Sequence, residues 1–266
     1  KPGTTLQTTP AHRRSLATTV EETLLQVRHG APRVHLHGVE MRIKVVVDGG
    51  VLNIDNCTFN GSSGDLGGAL QVLKGSVDVN ATRFVHNSAR RGGAAHVSGG
   101  KAVFKRAIFT ANEATEADGG GALCVEGGSV VLEQQTHLHS NIVGASSNSI
   151  WVGSGGSLEY RLPAPLGYYI NSLGQPAMQL DPGSYAELPL ACSAGIFGND
   201  ATVDAQSSPL CSGKCPEGSY QGAVGSTACV LCDEGYLCPE GSIMQVPVAC
   251  LEGTFLPSGR SFASVD

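Results

Sequence analysis

Apolar and polar residues alternate in short segments between residues 50 and 156, and these segments recur along the chain. Each copy opens with a glycine, and successive opening glycines are separated by 25, 25 and 28 residues. Because successive side chains of a strand point to opposite faces, this alternation predicts strands with one buried row. The opening glycines are Gly50, Gly75, Gly100 and Gly128. The large apolar residues that follow them are Phe59, Phe84, Phe109 and Leu138.

A second segment with two adjacent glycines follows each copy of the first. It reads GGALQV at 67–72, GGAAHV at 92–97, GGALCV at 120–125 and, in degraded form, NSIWV at 148–152. Its apolar positions predict a second buried row: Leu70 and Val72, Ala95 and Val97, Leu123 and Val125, Ile150 and Val152. The residues between them predict an outward, solvated row: Gln71, His96, Cys124 and Trp151.

A period of about 25 residues that holds two or three strands is typical of a parallel β-helix, whose turns stack at about 4.8 Å. A leucine-rich repeat needs a shorter period, and a propeller blade needs about 40 residues. Asn87, Asn112 and Asn141 occupy equivalent positions, so we expect them to form an amide ladder in a bend. We expect the paired glycines to turn the chain with positive φ.

The pairing of F-x-x-N with G-G-A occurs at 84–94 and again at 109–122. It resembles the repeat of chlamydial polymorphic outer-membrane proteins, and similar repeats occur in large surface proteins of algae, oomycetes and other protists. The resemblance covers residues 45–156. It implies a right-handed, pectin-lyase-like parallel β-helix.

Seven of the nine cysteines lie in a stretch rich in Gly, Pro and Ser, which predicts a disulfide framework. They are Cys192, Cys211, Cys215, Cys229, Cys232, Cys238 and Cys250. The recurring cysteine, glycine and aromatic residue resemble the ephrin-receptor-like cysteine repeats of protist and algal surface proteins. We expect Cys215 to pair with Cys229 and Cys250 to bond beyond this segment, and the other pairings stay open.

The two remaining cysteines, Cys57 and Cys124, lie in the repeats. Cys57 takes the position of Thr82 and Ala107, so we expect a small, half-buried side chain. Cys124 should project outward, more than two turns from Cys57, which argues against a bond between them. Its contact could be the N-terminal segment, another chain or nothing.

We divide the chain into four segments. They are an extended N-terminal arm (1–19), the β-helix (20–158), a Pro- and Tyr-rich cap and linker (159–190) and the cysteine-rich repeats (191–266). The predicted fold class is all-β, a right-handed parallel β-helix followed by a small disulfide-rich module. The chain begins without Met or signal peptide and stops as a cysteine repeat begins, so we expect a piece of a longer protein.

The composition of the chain and its glycosylation sequons indicate which partners and which cellular location to expect. The net charge of −6 gives no basic surface for nucleic acid or anionic membrane, and no apolar stretch reaches the 18 residues of a membrane span. Glycosylation sequons begin at Asn56, Asn60 and Asn80. Together with the cysteines they predict an extracellular or cell-surface glycoprotein.

No catalytic, cofactor-binding or metal site is predicted. Asp55 and Glu133 share an outward row but lie roughly 14 Å apart by stacking, too far for a catalytic carboxylate pair. Asp78 lies diagonal to Asp55, whose row also holds Lys105, as in an ordinary solvated charge ladder. We expect Arg90 and Arg91 in a bend, out of register with these acids. His35 and His37 share a strand face, but without a third ligand two exposed histidines are the better interpretation.

Two interpretations of function stay open, because fold alone supplies none. The first is a non-catalytic structural component of an extracellular assembly, in contact with other subunits of that assembly or with copies of itself. The second is an adhesin or receptor ectodomain that binds a protein or glycan. A polysaccharide-acting β-helix enzyme is a minor third alternative.

Overall fold

The computed structural model describes residues 25–31 and 33–248, and the backbone alone of residues 5–7. The rest of the predicted N-terminal arm, Cys250 and the last cysteine repeat lie outside the described residues. The protein is nearly all β, with 51 % strand and 2 % helix. Contacts divide it into a first unit (Lys1–Arg161 with Ala177–Leu188) and a second unit (Leu162–Pro176 with Pro189–Asp266). No helix among the described residues has the length and apolarity to cross a bilayer.

Short strands follow one another along the whole described chain. In the repeats they are β1 (Thr5–Gln7), β2 (Leu25–Arg28), β3 (Val34–His37), β4 (Glu40–Met41), β5 (Val45–Asp55), β6 (Thr58–Asn60), β7 (Ser63–Leu66), β8 (Leu70–Asn80), β9 (Arg83–Val85), β10 (Ser88–Arg91), β11 (Ala95–Val97), β12 (Lys101–Lys105), β13 (Ile108–Thr110), β14 (Glu113–Ala114), β15 (Leu123–Glu133), β16 (His137–His139), β17 (Ile142–Val143), β18 (Ser146–Ser147) and β19 (Ile150–Arg161). After them come β20 (Tyr168–Tyr169), β21 (Ala177–Leu180), β22 (Ser184–Ala186), β23 (Leu190–Ala191), β24 (Ile196–Phe197), α1 (Val203–Gln206), β25 (Gly213–Lys214), β26 (Ser219–Tyr220), β27 (Val230–Leu231), β28 (Tyr236–Leu237) and β29 (Val246–Pro247).

The first unit is a parallel β-solenoid of about five turns. Its largest sheet has the order β1-β3-β5-β8-β11-β15-β19-β21, and two five-stranded sheets follow the orders β18-β17-β14-β10-β7 and β16-β13-β9-β6-β4. Ala95 pairs in parallel with Leu70 on one side and Leu123 on the other. Phe84 pairs in the same way with Phe59 and Phe109. Equivalent positions of the repeat therefore lie above one another, as the period predicts.

Both predicted inward rows are buried, and aromatic rings stack along one of them. The ring centroids of Phe59 and Phe84 are 5.0 Å apart, and those of Phe84 and Phe109 are 4.6 Å apart, with rings within 5° of parallel. Phe104 meets Phe109 edge-on at 5.2 Å. Each such aromatic pair contributes about 0.5–1.5 kcal/mol beyond the area that it buries. The stack therefore stabilises adjacent turns directly.

Glycine is required at the two positions of each pair for two different structural reasons. The first of each pair has positive φ, as at Gly92 with +61°, but the second does not. A Cβ on Gly93 would instead lie 2.2 Å from the carbonyl oxygen of Gly121 and 2.5 Å from that of Glu113. The expectation that both glycines turn with positive φ is therefore wrong for the second, which is required by lack of space.

Two antiparallel strands cover the free edge of the last solenoid strand. β21 and β22 both pair with β19, and they place Tyr185 opposite Trp151. Unpaired strand edges promote association with other strands, so this pairing ends the parallel stack. Trp151 is half-buried, as a cap at this end requires. The segment 159–190 is shared between the units, because 177–188 folds with the solenoid and 162–176 with the second unit.

The second unit has short hairpins and three disulfides. Its strand pairs are β20–β23, β24–β25, β26–β27 and β28–β29, all antiparallel. Gln206, buried at the end of α1, accepts from the amide of Ala164 at 2.9 Å and donates to its carbonyl at 2.8 Å. The disulfides join Cys192 to Cys211, Cys215 to Cys229 and Cys232 to Cys238, so the expected Cys215–Cys229 pair is present. Cross-links compensate for the small core of such a unit.

Candidate functional site

Asn87, Asn112 and Asn141 lie above one another in the solenoid interior, and all three are fully buried. Nδ2 of Asn87 donates to Oδ1 of Asn112 at 2.9 Å, and Nδ2 of Asn112 donates to Oδ1 of Asn141 at 2.8 Å. Each Nδ2 also donates to a phenylalanine carbonyl in the turn below, as Asn112 does to Phe84 at 2.9 Å. Because both amide protons find acceptors, the row satisfies groups that would otherwise be orphaned inside the protein.

Polar groups close both ends of this asparagine ladder. At one end, the amide of Ser62 donates to Oδ1 of Asn87 at 3.0 Å. At the other, Asn141 donates to Oγ of Ser149 at 3.1 Å, and the carboxylate of Glu187 accepts from the amide of Ser149 at 2.6 Å and from its hydroxyl at 2.8 Å. Glu187 carries no signal in the sequence, because it lies beyond the last repeat.

The outward row contains two side chains that are not solvated. His96 is paired with Cys124, and Cys124 with Trp151, as the alternation predicts. His96 and Cys124 are nevertheless 0 % exposed. The glycine turn lies against them, since a Cβ on Gly92 would be 3.2 Å from Cβ of Cys124. The expectation of solvation is therefore wrong at these two positions.

An arginine network lies beside this buried pair. Arg90 and Arg91 are part of β10, so the expectation of a bend is wrong. Arg91 binds Glu116 at 2.6 Å, Asp118 at 2.7 Å and Glu126, while Arg90 binds the other oxygen of Glu116 at 2.8 Å. The hydrogen bond from Arg91 holds the pKa of Glu116 below its usual value. Glu116 and Asp118 belong to the extra residues of a 28-residue turn, so this insertion supplies two of the carboxylates that hold Arg91.

His96, Cys124 and Glu126 place three metal-ligating atoms within 4.8 Å of one another. Nε2 of His96 lies 3.2 Å from Oε2 of Glu126, yet in the described part of the chain neither ring nitrogen makes a hydrogen bond of acceptable geometry. Burial lowers the pKa of His96 and raises the pKa of Cys124 to about 12. Cys124 and Glu126 are two residues apart on β15, and His96 lies beside Cys124 on β11, a pattern that does not mark a site until the fold is known.

The two cysteines of the solenoid are both free thiols, so no bond joins them. Cys57 is 2 % exposed, and is therefore buried rather than half-buried as expected. Its amide donates to Oγ1 of Thr82 in the next turn at 3.3 Å, while burial raises the pKa of its thiol. Neither thiol is exposed for a bond with another chain.

The row of acids considered for catalysis is a charge ladder. Nδ2 of Asn80 donates to Asp55 at 2.6 Å. Nζ of Lys105 lies 3.1 Å from Asp78 and 3.9 Å from Glu133. Lys105 thus pairs with the diagonal acid and not with Asp55. These carboxylates face a cation or an amide across adjacent turns, which stabilises the stack weakly, as exposed ion pairs do.

The H-x-H pair lies on β3 beside polar partners. Nδ1 of His37 is 2.8 Å from Asp55, and Nδ1 of His35 is 3.4 Å from Nδ2 of Asn53. In the part of the chain that the structure describes, these histidines belong to no cluster of three metal-ligating groups.

The three sequons differ in exposure. Asn56 is exposed on a turn with φ of +51°, whereas Asn60 and Asn80 are half-buried. The amide of Asn80 is also held by Asp55 and accepts from Arg106. Asn56 therefore offers the most accessible amide for a glycan.

Asn56→Gln should remove one glycan from chain secreted by a eukaryotic host, which mass spectrometry of the intact protein measures. The melting temperature should fall only slightly, because the side chain is exposed but Asn tolerates its φ of +51° better than Gln does. The matched variant Asn80→Gln should instead lower stability by about 1 kcal/mol through its lost hydrogen bond. A wild-type protein without glycan at Asn56 would contradict this expectation.

Large exposed apolar side chains are concentrated in the second unit. Among the described residues, nine of eleven belong to it, and only Ile142 and Tyr185 belong to the solenoid. A pocket of about 280 Å³ in the second unit is lined in part by Phe197, Pro216 and Leu231. The nine residues are Leu166, Leu173, Leu210, Val224, Val230, Leu231, Ile243, Met244 and Val246.

Comparison with known proteins gives no relative: no family model, no curated protein and no solved structure matches this chain.

Proposed function

We propose that this chain is a non-catalytic structural component of an extracellular or cell-surface assembly, such as a fibre, an appendage or a surface layer. The observation that carries the proposal is the concentration of exposed apolar side chains in the second unit. Contiguous exposed apolar surface marks contacts with other proteins, and a unit that exposes nine large apolar side chains has the residues to supply such a surface. In this proposal the second unit binds neighbouring subunits, and the solenoid acts as a stiff spacer.

The interior of the solenoid supports the role of a stiff spacer. The phenylalanine stack and the asparagine ladder both run across successive turns, and the ladder is closed at both ends. Each turn contacts its neighbours through packing and buried hydrogen bonds, and bending the stack would strain both.

The proposed location rests on the disulfides. Three of them within 47 residues are typical of proteins that fold in an oxidising compartment. The resemblances to polymorphic outer-membrane repeats and ephrin-receptor-like modules point to the cell surface as well. N-linked glycans are part of this proposal.

The pocket beside Phe197 and Leu231 favours a second candidate, an adhesin or receptor ectodomain. A concave, partly apolar site of this size accommodates a small ligand or a side chain of a protein partner. This candidate predicts a monomer with one binding site rather than a linked assembly.

The mass of the native protein, measured by light scattering with and without reductant, distinguishes the two candidates. We expect a high-order species that dissociates to protomers on reduction. Glycosidase treatment of the same samples should lower the protomer mass. A glycosylated monomer that has the same mass with and without reductant would contradict the structural proposal and favour the ectodomain.

A cysteine variant sharpens this experiment. Six of the seven module cysteines bond to one another, so Cys250 is the module cysteine left for a cross-link. Cys250→Ser should abolish the reductant-sensitive species. Cys57→Ala, which removes a buried free thiol, should leave it intact.

A further inference from the structure

We propose that His96, Cys124 and Glu126 bind a divalent transition-metal ion, and that this ion is zinc. The three residues offer an imidazole nitrogen, a sulfur and a carboxylate oxygen within 4.8 Å of one another. Zinc prefers this donor set, and three protein ligands leave a fourth position for water. The ion would join β11 to β15, which are neighbouring strands of the largest sheet.

The state of His96 is the independent observation that points to a ligand. Its side chain is fully buried, and among the described residues Nδ1 has no partner, while Nε2 has only the ion-pair contact with Glu126 and no hydrogen bond of good geometry. Buried polar side chains nearly always make such a bond, because burial removes their hydrogen bonds to water. Nε2 also points toward Glu126, with 3.2 Å between the two atoms. A metal ion held between them would take a lone pair of the ring and one of the carboxylate, both of which face the same point.

The carboxylate of Glu126 is held in place by Arg91. The guanidinium binds Oε1, and this contact leaves Oε2 on the side of His96. Partners of this kind orient metal ligands, and their loss typically weakens metal binding about 10–100-fold. Arg91 is itself fixed by Glu116 and Asp118, so the direction of the ligand is set by the whole network.

The charges around the cluster suit a divalent cation. Lys44 and Arg91 are the nearby cations, and Glu116, Asp118 and Glu126 are the nearby carboxylates. When the ion binds, the thiol of Cys124 releases its proton to solvent and the thiolate adds one more negative charge. The thiolate of Cys124 and the carboxylate of Glu126 then carry two negative charges as ligands, which match the double charge of the ion.

Titration of the full, disulfide-intact chain with Co²⁺ after removal of metal by chelator tests the proposal. Cobalt bound to a thiolate gives a near-ultraviolet charge-transfer band, which reports sulfur ligation directly. We expect one equivalent to saturate the band and Zn²⁺ to displace it. Cys124→Ala should abolish the band, whereas the matched variant Cys57→Ala should retain it. His37→Gln should also retain it, since that histidine lies outside the cluster.

A milder substitution in the cluster tests the proposal even if Cys124→Ala does not fold. Glu126 is half-exposed, so Glu126→Gln should fold with an unchanged circular dichroism spectrum and bind Co²⁺ at least about tenfold more weakly. The proposal is overturned if the wild-type chain gives no band. It is equally overturned if Cys124→Ala keeps the band, or if Glu126→Gln binds as tightly as the wild type.

Discussion

Asn112→Ala should lower the free energy of unfolding of the solenoid by about 3–5 kcal/mol. Asn112 occupies the centre of the asparagine ladder, where its Oδ1 accepts from the amide and from Nδ2 of Asn87. Its own Nδ2 donates to Phe84 and Asn141. Alanine removes all four hydrogen bonds at once. The carbonyl of Phe84 and the amide of Asn87 then stay buried without this partner, and such orphaned groups each cost about 1–3 kcal/mol.

Urea denaturation followed by circular dichroism measures this loss. Glu113→Ala is the control, because Glu113 follows Asn112 in the same turn of the solenoid and its side chain is exposed, and it should change stability by less than about 0.5 kcal/mol. Asn112→Asp separates hydrogen bonding from volume: it keeps the size of the side chain but removes both amide donors. It should destabilise as strongly as alanine. A loss below about 1 kcal/mol for either variant would show that the ladder is not important for stability.

The repeat predicted the register of the solenoid because stacking joins identical positions. The alignment of Leu70, Ala95 and Leu123 in sequence is the same as their pairing in the sheet. The inward rows followed from the same alternation, since a period of two fixes which side of a strand each residue takes. These features are local or periodic, and therefore they are readable from the chain.

The candidate site could not be predicted in this way. Alternation places His96 and Cys124 on the outer side of their strands, but it does not show what covers that side. The turn at Gly92 packs against this side, and Arg91 binds Glu126, which is 35 residues away in sequence. Contacts between side chains at such separations follow no period, so only the folded structure reveals the cluster.

In the second unit, too, some features could be predicted from the sequence and others could not. Cysteine density predicted disulfides, and the Cys215–Cys229 pair was anticipated, but the other pairings had no sequence signal. The role of Gln206 was equally hidden. A buried glutamine that satisfies both backbone groups of Ala164 fixes one chain segment onto another, and nothing in the local sequence marks it.

Gly93→Ala should destabilise the solenoid by more than about 3 kcal/mol. The added methyl group would lie 2.2 Å from the carbonyl oxygen of Gly121 and 2.5 Å from that of Glu113. Both atoms belong to the backbone, and the amide of Gly121 is itself bonded to the next turn at Asn148. The turn therefore cannot open without breaking the stacking of its neighbours, whereas a flexible side chain would simply move aside.

Gly61→Ala is the control that separates crowding from backbone conformation. Gly61 has φ of +71° and open space around its Cβ position, so alanine there should cost only the left-handed penalty of about 1–2 kcal/mol. Thermal and urea denaturation of both variants measure the difference. If Gly93→Ala were no worse than Gly61→Ala, close packing of the turns would not be the reason for the second glycine. A clearly larger loss at Gly93 would instead show that the spacing between turns leaves no room for a methyl group, so the G-G-A motif encodes the stacking distance as well as the turn.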